Sequence, residues 1–130
     1  MKFAHATSRL TVVVGEADSD GCIRVALIGE FDYDETRQVT EAVSGVVDRC
    51  VPTHVTLDAT KLTFLDSAGI RALLECRALT DKVGAGLSVE GVTPIVFQVL
   101  RVTELVDYLA VTTVRSGGVR DAPTSSRRGG

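Results

Sequence analysis

The sequence predicts an α/β fold: a small mixed sheet of about four to five strands, with helices packed mainly on one face. Two β-branched, alternating segments open the chain with a turn between them, which is typical of a hairpin. The hydrophobic period then changes to that of an amphipathic helix, and short apolar segments alternate with helical ones. Strand–helix–strand alternation implies parallel strands joined by right-handed crossovers. The sheet is therefore expected to be mixed.

The hairpin comes first. Residues 8–15 form a β-branched run, residues 18–21 are a turn cluster, and alternation resumes at Ile23. From Asp34 to Cys50 the apolar residues recur at helical spacing, which predicts the first helix. A short strand is expected over residues 54–57, with Val55 and Leu57 on the same face.

A second helix is expected to begin near Ser67, with four apolar residues inward: Ile70, Leu73, Leu74 and Ala78. A further strand is predicted over residues 87–89. Pro94 is a favoured first-turn residue and opens a third helix. Its expected inward residues are Val96, Leu100 and Leu105, and a last apolar segment over residues 106–114 closes the domain.

The length of 130 residues fits one domain with one hydrophobic core. We expect this domain over residues 8–115. Residues 1–7 are expected to be a flexible N-terminus. Residues 116–130 are rich in Gly, Ser, Arg and Pro without periodicity, which predicts a disordered tail.

Composition excludes several classes of function. The 45% of hydrophobic and 24% of charged residues are ordinary for a globular domain. The net charge of −3 argues against direct nucleic-acid binding, which needs a clustered basic excess. No apolar run is long enough for a transmembrane helix, and the N-terminus does not resemble an export signal, so we expect no membrane partner and a cytoplasmic location.

The sequence contains neither a metal-ligand motif nor an enzyme motif. His5 and His54 are the only histidines, and neither a HExxH motif nor a paired Cys/His spacing is present, so we expect no metal and no cofactor. The three cysteines, Cys22, Cys50 and Cys76, lack CxxC spacing and are predicted to be ordinary thiols. A regulatory disulfide between two of them stays open as an alternative.

The segment of residues 55–74 carries the most chemical information. A strand is expected to end at Asp58, a polar link to follow, and Phe64 with Leu65 to return the chain to the core. Asp66 or Ser67 then caps the second helix by accepting a free first-turn N–H. A hydroxyl at a helix start is a plausible phosphorylation site, because the free amides there can receive an anion. Taken alone, however, a serine at this place is most often only a cap.

The face of the second helix opposite its predicted inward stripe suggests a docking surface. Ala68 and Ala72 lie there with Arg71 and Glu75 alongside, and small residues permit close packing of a partner. A solvated face with small residues is the alternative. Gly69 lacks a Cβ and is expected to allow close approach of a partner or kinase backbone.

Two motifs then suggest a family. Residues 57–74 read LDATKLTFLDSAGIRALL, and Gly29, Glu30, Phe31 and Asp32 follow the second predicted strand. In order and spacing, residues 8–115 resemble the STAS-domain family of anti-sigma factor antagonists. The resemblance implies a non-enzymatic protein that binds an anti-sigma factor and so releases a sigma factor. The anti-sigma factor is often also a serine kinase that phosphorylates the antagonist, and a phosphatase reverses the modification.

The resemblance also assigns residues. Ser67 matches the phosphoacceptor. Asp32, Asp58 and Asp66 match acidic residues around it and are expected to support the site together with Gly69. Asp32 and Asp58 are expected in loops at the end of the sheet where Ser67 lies. Position 68 departs from the pattern, because Ala68 stands where many members have a second serine.

Three other functions remain open on the sequence. The first is an antagonist regulated by the redox state of its cysteines. The second is a stand-alone STAS subunit of another complex, such as a transporter. The third is an enzyme with Ser67 as nucleophile, although residues 66–69 do not form a G-x-S-x-G elbow.

Overall fold

The computed structural model describes residues 9–113, so the expectations for residues 1–7 and 116–130 lie outside the described residues. Residues 9–113 form five strands and three α-helices, which alternate after an initial pair of strands, with a 3-10 turn at Tyr33–Glu35 before the first helix. In chain order they are β1 (Leu10–Val14), β2 (Cys22–Phe31), α1 (Thr36–Cys50), β3 (His54–Leu65), α2 (Ser67–Lys82), β4 (Gly86–Val92), α3 (Pro94–Val102) and β5 (Val111–Thr113). No helix in this part of the chain is both long and apolar enough to cross a membrane.

The sheet is mixed, as the sequence predicts. Its strand order is β1-β2-β3-β4-β5, and only the β1–β2 pair is antiparallel. The predicted hairpin is therefore confirmed. Each of the three parallel pairs is joined by one helix, so the carboxyl ends of β2 and β3 meet at the same edge of the sheet.

Alternation along the central strands separates core from surface. In β2, Ile23, Val25 and Leu27 are fully buried, whereas the intervening Arg24 is exposed. The buried set forms one cluster with α1 residues at helical spacing, namely Val39, Val43 and Val46. In α3, Val96 and Leu100 are buried as predicted, and Leu105, which lies beyond the end of α3, is half-buried.

The buried stripe of α2 is rotated from the predicted one. Its buried residues are Gly69, Ala72, Leu73, Cys76 and Thr80. Ile70 and Leu74 are only half-buried, and Ala78 is exposed, so the prediction of an inward Ala78 is wrong. The helix packs against both α1 and the sheet. Close approach on two sides favours small residues, which the hydrophobic pattern does not reveal.

Strand β3 is much longer than the predicted strand over residues 54–57. It continues to Leu65, and the predicted polar link is part of the strand. The ten residues of β2 offer hydrogen-bonding partners along this whole length, with Lys61 opposite Ile28 and Leu65 opposite Phe31. Register shifts in the pairing accommodate the extra residues of β3. Phe64 is 45% exposed, so only Leu65 returns to the core as expected.

The length of β3 leads to a test by hydrogen exchange. We expect peptides covering residues 59–65 to exchange slowly, because this part of β3 pairs with β2 and contains the buried Ala59, Leu62 and Leu65. Peptides covering residues 16–20, which lie in the exposed β1–β2 turn, serve as the fast-exchanging control. Mass spectrometry of the folded protein measures both. Equal exchange in the two segments would mean that residues 59–65 form a loop.

Candidate functional site

The site is built where β2 and β3 end side by side. Phe31 lies opposite Leu65 in the parallel register, so Asp32 and Asp66 follow at neighbouring positions. The backbone N–H of Asp66 donates to the Phe31 carbonyl, with 3.3 Å between N and O. This contact places the start of α2 beside the 3-10 turn that leads into α1.

Asp66 is the residue that caps α2. Its Oδ1 accepts a hydrogen bond of 2.9 Å from the backbone N–H of Gly69, and its backbone is extended. Ser67 is therefore the first residue of the helix and is exposed. Within residues 9–113 the Ser67 hydroxyl makes no hydrogen bond. The sequence left the cap open between these two residues, and the structure assigns it to the aspartate.

Gly69 has a different role from the predicted one. It is buried, and a Cβ built on it would lie 2.7 Å from Leu65 Cδ1 and 2.8 Å from the Phe31 carbonyl oxygen. The close approach that this glycine permits is between α2 and its own sheet. The expectation that Gly69 faces a partner backbone is therefore wrong.

Asp32 lies next to the site, at the end of β2. It is 9% exposed, and its Oδ1 accepts a hydrogen bond of 3.1 Å from the backbone N–H of Asp34. Its Oδ2 forms an ion pair with Arg9. The carboxylate thus holds the 3-10 turn and β1 in place, at the sheet end where it was expected.

Asp58 is not brought to Ser67. It lies within β3 opposite Ala26, whereas Leu65 lies opposite Phe31, which separates the two positions by about 16 Å along β2. The expectation of a loop at the Ser67 end of the sheet is wrong, because β3 continues past Asp58. The carboxylate pairs with Arg24 at 3.3 Å. Partial burial acts to raise the pKa of Asp58, but hydrogen bonds from Thr60 and the charge of Arg24 together lower it.

A groove of about 290 Å³ opens beside Ser67, between the start of α2 and the 3-10 turn with α1. Tyr33 forms one wall and is 75% exposed. Ala72 is only 2% exposed and belongs to the floor, so it is not the exposed docking residue that was expected. The groove is lined by Tyr33, Thr36, Ser67, Ala68, Arg71, Ala72 and Glu75, which includes all four residues predicted for partner binding.

Sequence reasoning missed Tyr33 as part of the site. The signal was its position directly after the motif of residues 29–32, but its exposure depends on the 3-10 turn. A second groove of about 420 Å³ continues between α1 and α2 toward Lys82, and Glu75 lines both grooves. The surface beside Ser67 therefore extends along most of α2.

The cysteines provide no preformed redox pair. All three thiols are free: Cys22 is half-buried, Cys50 is exposed and Cys76 is buried. Burial raises the pKa of the Cys76 thiol to about 12, and the Glu75 carboxylate adds to the rise. Since the thiolate is the reactive form, this rise in pKa disfavours reaction of Cys76 at neutral pH. Among the described residues, no group of three or more His, Cys, Asp or Glu side chains is arranged to hold a metal ion.

The sheet order, the three crossover helices and the groove at the start of α2 define a class, the small α/β domains of the STAS type. Residues 14–113 match the family model described as "Mlab, STAS domain". The chain therefore belongs to the STAS-domain family. No curated protein matches it by sequence.

Solved structures share this fold. The anti-sigma factor antagonist SpoIIAA in its unphosphorylated form has a TM-score of 0.68 at 18% identity, covering 82% of this chain and 90% of that one. An anti-sigma factor antagonist from Mycobacterium paratuberculosis has a TM-score of 0.69 at 23% identity, covering 85% and 90%. A sulfate transporter family protein from Wolinella succinogenes has a TM-score of 0.59 at 23% identity, covering 71% and 76%.

The packing of Gly69 leads to a test of how the site is assembled. We expect Gly69→Ala to lower the free energy of unfolding by about 1–3 kcal/mol, because the added Cβ meets the Phe31 carbonyl and Leu65. Gly45→Ala in α1 is the matched control. Its Cβ meets only the movable guanidinium of Arg49, and the gain in helix propensity of about 1 kcal/mol offsets that contact. Urea unfolding measures both variants. Equal stability of the two would contradict the assigned packing of α2.

Proposed function

We propose that this protein is an anti-sigma factor antagonist that is switched off by phosphorylation of Ser67. In the unphosphorylated state it binds an anti-sigma factor and so releases a sigma factor. A serine kinase, in many systems the anti-sigma factor itself, ends this binding, and a phosphatase restores it. The observation that carries the proposal is the exposed Ser67 hydroxyl, which is free of capping and opens onto a groove.

The placement of Ser67 suits a modification that leaves the fold intact. The γ-phosphoryl group of ATP passes to Oγ, ADP leaves, and the hydroxyl proton goes to a base of the kinase. No hydrogen bond of the described residues is lost, because the cap is made by Asp66. The phosphate is added on the surface, at the first residue of α2.

The groove has the composition of a protein-binding surface. Tyr33 and Arg71 border it, and tyrosine and arginine are enriched among residues that dominate binding energy. Ala68 and, on the floor, Ala72 have short side chains, which leaves room in the groove for a partner side chain. A phosphate adds nearly two negative charges in the middle of this surface. An anti-sigma factor that docks over the neutral hydroxyl then has to desolvate this charge, which weakens binding.

The comparisons support this proposal by analogy. SpoIIAA is known in an unphosphorylated form and, as a Bacillus cell fate determinant, in a phosphorylated form, and both share the fold of this chain. For SpoIIAA the two states are thus compatible with one fold. We propose the same two states for this chain, because Ser67 is exposed at the start of α2.

A second candidate function is a stand-alone STAS subunit of a transporter complex. The matching family model is the one described as "Mlab, STAS domain", and the fold also occurs in the sulfate transporter family protein. The same groove would then dock a transport protein. Affinity purification distinguishes the two candidates, because only the first predicts a captured protein that also binds a sigma factor.

Binding measurements on Ser67 variants test the proposed switch. We expect Ser67→Ala to bind the anti-sigma factor as the unmodified protein does. Ser67→Glu should bind about tenfold or more weakly, because its charge has to be desolvated in the interface. Isothermal titration calorimetry with the purified anti-sigma factor gives both affinities.

Two controls separate charge from bulk and from position. Ser67→Gln has the size of the glutamate without its charge and should stay close to Ser67→Ala. Ser44→Glu places the same charge on α1, in the second groove, and should weaken binding less. Similar affinities for Ser67→Gln and Ser67→Glu would contradict a charge mechanism.

A further inference from the structure

We propose that Arg71 is the ligand of the phosphate on Ser67, so that phosphorylation draws the Arg71 guanidinium back onto the start of α2. This inference rests on the proposed modification of Ser67. It concerns what the phosphate does to this surface. The modification then acts in two ways, since it adds negative charge to the groove and also engages the exposed cation of the groove.

The first step of the argument is the spacing of the two residues. Ser67 and Arg71 are four residues apart in α2, which places them on the same face one turn apart. Helical side chains point back toward the helix N-terminus, so a long side chain covers the turn before its own Cα. The spacing therefore puts Ser67 within reach of the Arg71 side chain, and both residues line the same groove.

The second step is that Arg71 is available. Within residues 9–113 its side chain makes neither an ion pair nor a hydrogen bond. Arg9, the cation at the neighbouring strand end, is already paired with Asp32 and Glu30. Among the described residues that line the groove, Arg71 is the only cation. A phosphate on Ser67 has no other uncommitted cation along this wall.

The third step is that the helix start does not offer its full set of amides. The N–H of Gly69 is already bonded to Asp66 Oδ1, and the Asp66 carboxylate would itself repel a phosphate. A guanidinium supplies what is missing, since its planar fork binds phosphate oxygens through two parallel hydrogen bonds. The pairing is an exposed one, so it should be weak and sensitive to salt.

Glu75 is the other charged residue that lines the groove beside Ser67. It lies four residues after Arg71 and lines the same groove, but the two side chains form no ion pair in the described structure. The Arg71 guanidinium is thus not engaged by Glu75 and is available to a phosphate on Ser67. Replacing Glu75 by glutamine removes the competing charge and should strengthen the phosphate contact slightly.

The test uses the full chain with phosphoserine incorporated genetically at position 67, so neither a kinase nor a partner is needed. ³¹P NMR follows the second ionisation of the phosphate, which lies near pH 6. We expect Arg71→Gln to raise the apparent pKa of the phosphate by about 0.2–0.7, the range for an exposed pair, because the dianion loses its cation. The apparent pKa of the phosphate in Arg71→Lys should lie between the values for the parent protein and Arg71→Gln, since lysine keeps the charge but lacks the planar guanidinium.

Two controls make this result specific. Arg101→Gln removes an exposed arginine on α3, outside the groove, and should leave the titration unchanged. Adding salt to 1 M should shrink the difference between Arg71→Gln and the parent protein. If Arg71→Gln and Arg101→Gln titrate alike, the inference is overturned. Failure of the proposed function would show separately, as equal partner binding by Ser67→Ala and Ser67→Glu.

Discussion

The pairing register at the carboxyl ends of β2 and β3 is the constraint on which the site depends. Phe31 opposite Leu65 brings the Phe31 carbonyl to the Asp66 N–H, and the buried Gly69 lets α2 start against that same carbonyl. The two acidic residues that follow the strands then take separate structural tasks. Asp32 holds the 3-10 turn, and Asp66 caps α2. The groove lies between the 3-10 turn and α2, because both begin at the same end of the sheet.

This arrangement keeps the residue that caps α2 separate from the residue that we propose is phosphorylated. A serine that capped its own helix would lose that contact when modified, and phosphorylation would then change stability as well as binding. Here the aspartate before it makes the cap, so the serine hydroxyl is uncommitted. A cap of this kind is worth about 1 kcal/mol, and it does not use the Ser67 hydroxyl. The proposed division of roles is that Asp66 maintains the fold, Ser67 carries the signal, and Arg71 responds to it.

Much of the fold could be predicted, because hydrophobic period and turn chemistry are local properties. The hairpin, the three helices and the mixed sheet follow from patterns within ten to twenty residues, and the STAS resemblance is confirmed by the family match. The length of β3 could not be predicted. Thr60, Lys61 and Thr63 have the polarity of a link, and only the long neighbouring strand shows that they pair in the sheet.

The site was predicted less evenly, for physical reasons. Ser67 and its neighbours on α2 are contiguous in sequence and therefore fall together on one helix. Asp58 was misplaced because its distance from Ser67 depends on the course of β3. Ala72 was expected to be exposed, but the buried stripe of α2 consists largely of small residues that a hydrophobic pattern underweights. Tyr33 reaches the groove through a turn whose geometry no periodicity encodes.

The measurement that tests the central claim most directly is phosphosite mapping. The full-length protein is incubated with its cognate anti-sigma kinase and ATP and then digested and sequenced by tandem mass spectrometry, with Ser67→Ala treated in parallel. The account predicts a single phosphate on Ser67 in the parent protein and none in the variant. Stoichiometric phosphate at another residue, or unchanged labelling of Ser67→Ala, would contradict it.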